Sequence, residues 1–204
     1  MDKFLTLSYN KIMKKFLLII LTGIILTSPV IAEETAESEQ AKLLYADNNI
    51  EGSFNALLAI PEDKRTAENW LLLGNLLQDK GRNDDAIFMY TQAILKDEKF
   101  YKAHYNLANC YLNDDKPNMA IEEYKKVLKL RPEYAYAHYN LGCAYLKLGK
   151  YRKAKNAFLD AAYFKNTEPD FYYNLAYTYK KLEKPKDAQA YIEIYNKLME
   201  NKIE

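Results

Sequence analysis

The stretch HYNLANCYL at residues 104–112 returns as HYNLGCAYL at residues 138–146. Six of the nine positions are identical between the two copies, which start at His104 and His138. The two copies start 34 residues apart. A stretch that returns after an interval of this size is the signature of a repeat architecture, in which one small structural unit is stacked several times. The first question is therefore whether the same interval recurs along the chain.

The same interval separates the starts of four units, which begin at Ala67, Tyr101, Ala135 and Pro169. Counted from each start, the fourth position carries a flat ring, the seventh a leucine and the twentieth an alanine. The fourth positions are Trp70, His104, His138 and Tyr172, the seventh are Leu73, Leu107, Leu141 and Leu175, and the twentieth are Ala86, Ala120, Ala154 and Ala188. The eighth position is Gly or Ala in every unit, which lets two helix backbones approach closely.

Within each unit the apolar positions fall into two groups that are spaced by three or four residues. Each group is the buried stripe of one amphipathic helix. The groups are separated by turn residues, and Pro117 and Pro185 suit the first turn of a second helix, where no N–H partner is needed. The sequence therefore predicts an all-α chain of helical hairpins.

This pattern resembles the tetratricopeptide repeat (TPR). The residues WLLLG at positions 70–74, the fourfold Leu and Ala positions, and Pro132 carry the resemblance, while His104 and His138 depart from the usual Trp. The resemblance implies a right-handed α-α superhelical solenoid with TPR units at 67–100, 101–134 and 135–168 and a terminal unit at 169–202. It also implies a non-catalytic function in protein–protein interaction.

Residues 33–66 are predicted to be an acidic linker followed by a degenerate capping repeat. Terminal units of repeat arrays are commonly atypical. Five residues fall where such a repeat places its core, with the register one residue short: Leu44, Ile50, Ser53, Leu57 and Ile60.

Residues 1–32 are predicted to be a secretory signal peptide, whose true start is Met1 or Met13. Lys14 and Lys15 precede an apolar run at 16–26, and small residues end at Ala32. The alternative is an uncleaved anchor, because the stretch 16–32 lies at the short limit for crossing a bilayer. No cysteine lies near the cleavage site, so no lipid anchor is expected. We therefore expect an exported protein of the periplasm or cell envelope, or a secreted one.

Charge and motif content exclude several function classes. Without residues 1–32 the chain keeps 25 basic and 27 acidic residues, and a net charge near −2 argues against nucleic acid as a partner. No phosphate loop or nucleophile–base pair is present, so no enzyme activity and no cofactor are expected. His104 and His138 could form a metal pair, but no recurring carboxylate or thiol completes a site. Cys110 and Cys143 are expected to be small core thiols, with a disulfide as the alternative.

The first helices carry the candidate binding residues on the face opposite the core. This face combines tyrosines, which offer large amphipathic rings, with asparagines, which offer a donor and an acceptor. We predict a partner-binding groove formed by Leu71, Asn75, Tyr105, Asn106, Asn109, Tyr139, Asn140, Tyr173, Asn174 and Tyr177. The alternative is that these residues serve folding alone. No basic residue occurs among them, which argues against the carboxylate clamp of some family members.

Two functions are therefore open. The first is a scaffold or adaptor in the cell envelope that binds a protein or an extended peptide in this groove. The second is an assembly or spacer element that uses its convex or end faces, or is held at a membrane by an uncleaved N-terminus. Gln189 and Asn196 replace apolar residues of the inner units, so the last helix is expected to cap the array and the protein to be a monomer.

Overall fold

The computed structural model describes residues 35–201, and the predicted signal peptide lies outside these residues. Within the described range the chain forms ten α-helices and one short 3-10 helix at Glu62–Lys64, and no strand. The helices are α1 Ala36–Ala46, α2 Ile50–Ala59, α3 Ala67–Asp79, α4 Asn83–Lys96, α5 Tyr101–Asn113, α6 Pro117–Leu130, α7 Ala135–Lys147, α8 Tyr151–Phe164, α9 Pro169–Lys181 and α10 Pro185–Glu200.

The helices pack as successive hairpins, each of which also contacts the next hairpin along the chain. The helices α3, α5, α7 and α9 begin at the first residue of each predicted unit, as the period requires. Each seventh-position leucine is buried between the helices. Pro117, Pro169 and Pro185 each occupy the first turn of a helix. The predicted all-α, right-handed superhelical solenoid is therefore confirmed.

The eighth position controls how closely the two helices of a hairpin approach. A Cβ atom added to Gly74 would lie 2.4 Å from Tyr90 Cε1, and one added to Gly142 would lie 2.5 Å from Phe158 Cε1. Both rings are fully buried, so they have little room to move. In the first and third repeats an aromatic ring of the second helix therefore rests directly on a glycine of the first helix, whereas the second repeat packs the buried Tyr124 in the same cluster as Ala108.

In each unit the turn between the two helices contains a residue with a left-handed backbone conformation. This residue is the fifteenth of the unit. Gly81 and Gly149 adopt this conformation with φ of 72° and 65°. Asp115 and Glu183 occupy the same position with φ of 57° and 58°, although residues with a Cβ atom are strained there. The backbone conformation at this residue is therefore the same in all four units, whether or not the residue type favours it.

The first hairpin, α1 and α2, shares one apolar cluster with the first repeat, in which Leu57 and Ile60 are buried together with Trp70. Ser53 Oγ donates a hydrogen bond to the Ala41 carbonyl at 2.8 Å, which fixes α2 on α1. Asn69 Nδ2 donates to Ser38 Oγ at 2.8 Å and fixes α3 on α1. Leu43 is 66% exposed, in contrast to the buried leucines of the later units.

Among the described helices, none combines the length and the apolar character needed to cross a membrane.

Candidate partner-binding face

The first helices of the four repeats, α3, α5, α7 and α9, lie side by side and form one continuous face. Helices α5 and α7 contact each other directly, and hydrogen bonds connect each first helix with the next. Eight of the ten predicted groove residues are half-buried where neighbouring first helices meet. Tyr173 and Tyr177 differ, because they are 52% and 44% exposed in the last repeat.

The asparagines at the sixth position form a ladder across the repeats. Asn106 Nδ2 donates to Asn75 Oδ1 at 2.8 Å, and Asn140 Nδ2 donates to Asn109 Oδ1 at 2.9 Å. Each amide therefore connects a first helix to the ninth position of the preceding repeat. We call this set of contacts the seam.

Tyrosine hydroxyls at the fifth position are also acceptors in the seam. Asn140 Nδ2 donates to Tyr105 Oη at 3.0 Å, and Asn174 Nδ2 donates to Tyr139 Oη at 2.8 Å. The same seam geometry therefore recurs between the second and third repeats and between the third and fourth.

The ninth position also receives a hydroxyl from the second helix of its own repeat. Tyr90 Oη donates to Asn75 Oδ1 at 2.9 Å, and Tyr124 Oη donates to Asn109 Oδ1 at 2.6 Å. In the third repeat the donor is absent because Phe158 replaces the tyrosine, and Cys143 replaces the asparagine. The two positions change together because they touch.

These contacts limit the donors that the asparagines can offer to a partner, because Asn140 uses both of its N–H groups within the chain and Asn106 and Asn174 use one each. The amide groups of Asn106, Asn140 and Asn174 already donate within the chain. Their Oδ1 atoms accept no hydrogen bond from any residue in the range 35–201, and the three side chains are half-exposed. The face therefore offers hydrogen-bond acceptors, one in each of three successive repeats.

The tyrosines of the ladder are packed on one side. Tyr105 lies edge-on to Tyr134 with ring centroids 5.1 Å apart, and Tyr139 stacks on Phe171 at 4.8 Å. Burial raises the pKa of Tyr105 to about 12, so its hydroxyl stays protonated at neutral pH. The rings hold the seams together and leave only part of their surface to a partner.

The fourth-position rings explain why histidine stands where the family has Trp. His104 Nε2 lies 3.1 Å from the Glu98 carbonyl oxygen and His138 Nε2 lies 2.8 Å from that of Pro132. Tyr172 Oη donates to the equivalent carbonyl, that of Asn166, at 3.1 Å. These three rings thus place a polar atom against the loop that precedes their helix, whereas Trp70 Nε1 is buried without a hydrogen-bond partner within residues 35–201. His104 Nδ1 also lies 2.6 Å from Glu123 Oε2, so both of its ring nitrogens are occupied.

Neither cysteine forms a disulfide in the structure. Cys110 is buried and Cys143 half-buried, and burial raises the pKa of each thiol to about 11. Thiols with such a high pKa are poor nucleophiles at neutral pH. Across the described range, His, Cys, Asp and Glu side chains form no group of three or more that could hold a metal ion.

The structure has a hollow at the C-terminal end of the array that the sequence did not predict. It lies between α9 and α10, has a volume of about 390 Å³, and is lined in part by Tyr173 and Tyr177. The repeat pattern contained a signal for this hollow, because the following repeat covers the fifth and ninth positions in the inner units. In the last described repeat these positions have no such cover.

Family models match most of the repeat region. A model described as "TPR repeat" matches residues 118–149, and one described as "Tetratricopeptide repeat" matches residues 89–122. A further tetratricopeptide repeat model matches residues 67–99, 135–167 and 169–193. Together these matches cover more than half of the chain. A comparison with curated protein sequences gives no significant match.

Solved structures share the fold at low sequence identity. "Crystal structure of MamA" superimposes with a TM-score of 0.75 at 22% identity, covering 83% of this chain and 97% of that chain. "MamA 41-end from Desulfovibrio magneticus RS-1" gives a TM-score of 0.75 at 17% identity, covering 81% and 94%. At this identity the similarity establishes the solenoid architecture alone.

Proposed function

Because the chain belongs to the tetratricopeptide repeat family, whose repeats typically bind other proteins, we propose that it is a non-catalytic interaction scaffold of the cell envelope. Its ligand is an extended segment of a partner protein that lies along the first helices. The envelope location rests on the signal-peptide character of residues 1–32.

The observation that carries the proposal is the row of unpaired Oδ1 atoms of Asn106, Asn140 and Asn174. Packed helices lie ~8–10 Å apart, so the acceptors of adjacent repeats have about this spacing. An extended or polyproline-type chain advances roughly 3.1–3.4 Å per residue. About one backbone N–H in every three residues can therefore meet an acceptor. The half-exposed tyrosines supply the apolar contact between these hydrogen bonds.

A second candidate function is an assembly or spacer element that uses the second helices. Leu95 of α4 is 71% exposed and Tyr163 of α8 is 83% exposed, both on helices that form the opposite side of the array. Exposed apolar residues in such a position can mark an interaction surface. The two functions place the partner on opposite faces, so they can be separated experimentally.

Site-specific photo-crosslinking separates them with matched residue pairs. A benzophenone amino acid replaces Leu72 or Tyr136 on the first helices, and Leu95 or Tyr163 on the second helices, in the full chain expressed in its native cells. The proposal predicts one common partner adduct from Leu72 and Tyr136 and none of that adduct from Leu95 and Tyr163. The reverse pattern would contradict the groove and favour the spacer function.

A further inference from the structure

The hollow at the C-terminal end of the array is a second candidate binding surface, distinct from the row of asparagine acceptors. It is lined by residues of α9 and α10 that include Tyr173, Ala176, Tyr177, Ala188, Gln189 and Ile192. These are the fifth, eighth, ninth, twentieth, twenty-first and twenty-fourth positions of the last repeat. The inner repeats show what such a surface is built to hold.

The equivalent surface of the second repeat is covered by the next first helix, α7. Ala108, Ala120 and Tyr124 form one buried cluster with residues of α7. The residues of α7 in that cluster are Leu141, Ala144 and Tyr145. A leucine, a small residue and an aromatic ring on one helix face therefore fill this kind of surface.

The seam continues to the last repeat, where its next acceptor is open. Tyr105 Oη accepts from Asn140, and Tyr139 Oη accepts from Asn174. Tyr173 is the next member of this series and is 52% exposed. Within residues 35–201 its ring contacts Tyr195, with centroids 5.5 Å apart, while its hydroxyl has no hydrogen-bond partner.

An ion pair between the second and third repeats also has an open counterpart in the last repeat. Lys147, at the end of α7, forms an ion pair with Asp115 of the preceding repeat, with Nζ and Oδ1 2.9 Å apart. Glu183 occupies the position of Asp115 in the last repeat and is exposed. A basic residue seven positions after the asparagine of an added helix would meet Glu183.

We propose that this hollow binds an amphipathic helix of a partner protein that reproduces the inner face of α7. Its pattern is Asn-Leu, a small residue three positions after the leucine, an aromatic residue next, and a basic residue two positions later. The first helix of a second copy of this chain, α1, fits poorly. It would place Glu39 at the sixth position, where the other first helices carry Asn or Leu, and Gln40 at the seventh, where they all carry Leu. The occupant is therefore a different protein.

The probe is a fluorescent peptide with the sequence of residues 135–147, and the readout is its anisotropy on titration with the full chain. The control peptide carries Leu141→Asp. We expect saturable binding that is at least ~10-fold weaker for the control peptide. The protein variant Tyr173→Phe, which removes only the hydroxyl, should weaken binding by about 5-fold. The variant Tyr163→Phe, on an exposed part of α8, should leave it unchanged.

Three results would overturn the proposal: no saturable binding, equal binding of the two peptides, or equal binding by Tyr173→Phe and wild type. Sedimentation of the protein alone provides a further test. A dimer that dissociates in Tyr173→Phe would assign the hollow to self-association and would equally overturn a partner helix. A variant Ala188→Leu, which fills the hollow with an apolar side chain, should abolish peptide binding while circular dichroism confirms that the chain is folded.

Discussion

The surface between the second and third repeats and the free surface of the fourth repeat are built from the same sequence positions. In the first, Tyr105 and Tyr124 are covered by α7, and Asn140 completes the hydrogen bonds. In the second, Tyr173 and Ile192 line an open hollow. A residue at a given repeat position therefore has no fixed role, because the neighbouring repeat decides whether it is a structural contact or a binding surface.

The third repeat adds a comparison within the array. It carries Cys143 and Phe158 where the second repeat carries Asn109 and Tyr124. The second repeat has a hydroxyl-to-amide hydrogen bond at this point, and the third has two apolar groups instead. Both arrangements leave no unpaired buried group, which explains why the array tolerates both.

The largest expected effect contrasts an inner repeat with the first hairpin. Leu107→Ala should lower the free energy of unfolding by roughly 2–5 kcal/mol, because the side chain is only 5% exposed and a cavity would remain. Leu43→Ala should change it by less than about 0.5 kcal/mol, because Leu43 is 66% exposed. Urea unfolding followed by circular dichroism measures both. Equal losses would show that the repeat register is wrong.

A somewhat smaller effect is expected at the eighth position. Gly142→Ala should destabilise by about 1–3 kcal/mol, because the new methyl group overlaps the buried Phe158 ring. The fourth repeat combines Ala176 with Ile192, so the double variant with Phe158→Ile should recover part of the loss. If Gly142→Ala raised stability through its helix propensity, the tight contact between the helices would be disproved.

The third prediction concerns variants of the second repeat that carry the residue types of the third repeat at the ninth and twenty-fourth positions. Asn109→Cys alone should cost about 1–3 kcal/mol, because it leaves the buried Tyr124 hydroxyl and the Asn140 amide without an acceptor at this position. Adding Tyr124→Phe should restore much of that loss, since it removes the unpaired hydroxyl. A double-mutant cycle measures the coupling between the two positions. Strictly additive losses would mean that the hydrogen bond does not couple them.

The smallest effect concerns the turns. Glu183→Gly should stabilise the chain by up to about 1 kcal/mol, because glycine adopts a φ of 58° without strain. Gly149→Ala at the equivalent turn should do the opposite, because an added Cβ atom is strained at a φ of 65° although nothing lies within 4 Å of it. Thermal unfolding of the two variants should therefore shift in opposite directions.

The repeat period allowed the helices and the buried positions to be predicted from sequence. Leucine at the seventh position is buried in all four units, so its burial needs no knowledge of the neighbouring repeat. Alanine at the twentieth position is buried in the first three units, but Ala188 of the last unit is only half-buried and lines the hollow. The role of Asn106 and Asn140 could not be predicted this way. An amide has both a donor and an acceptor, and only the distance to the preceding repeat shows that Asn75 and Asn109 take the donor.

The paired change of Asn109 with Tyr124 into Cys143 with Phe158 was visible in the sequence. The reason for the paired change is that the side chains at the ninth and twenty-fourth positions are in contact, which only the structure shows. The same holds for Tyr173, whose exposure follows because no helix among residues 35–201 covers it, rather than from its own position in the repeat.

The sixth-position asparagines hold the repeats together through their amide groups. The triple variant Asn106→Ala, Asn140→Ala and Asn174→Ala removes the four hydrogen bonds that these amides donate across the seams. The matched control is Asn55→Ala, Asn113→Ala and Asn156→Ala, three exposed asparagines that gain the same helix propensity.

Urea unfolding of the two triple variants measures how much these hydrogen bonds stabilise the array. The seam variant should lose about 2–6 kcal/mol relative to the control, at roughly 0.5–1.5 kcal/mol for each of the four hydrogen bonds. Its native helicity should be retained, because the helices themselves keep their backbone hydrogen bonds. Equal stability of the seam and control variants would contradict the account and return the asparagines to a purely ligand-binding role.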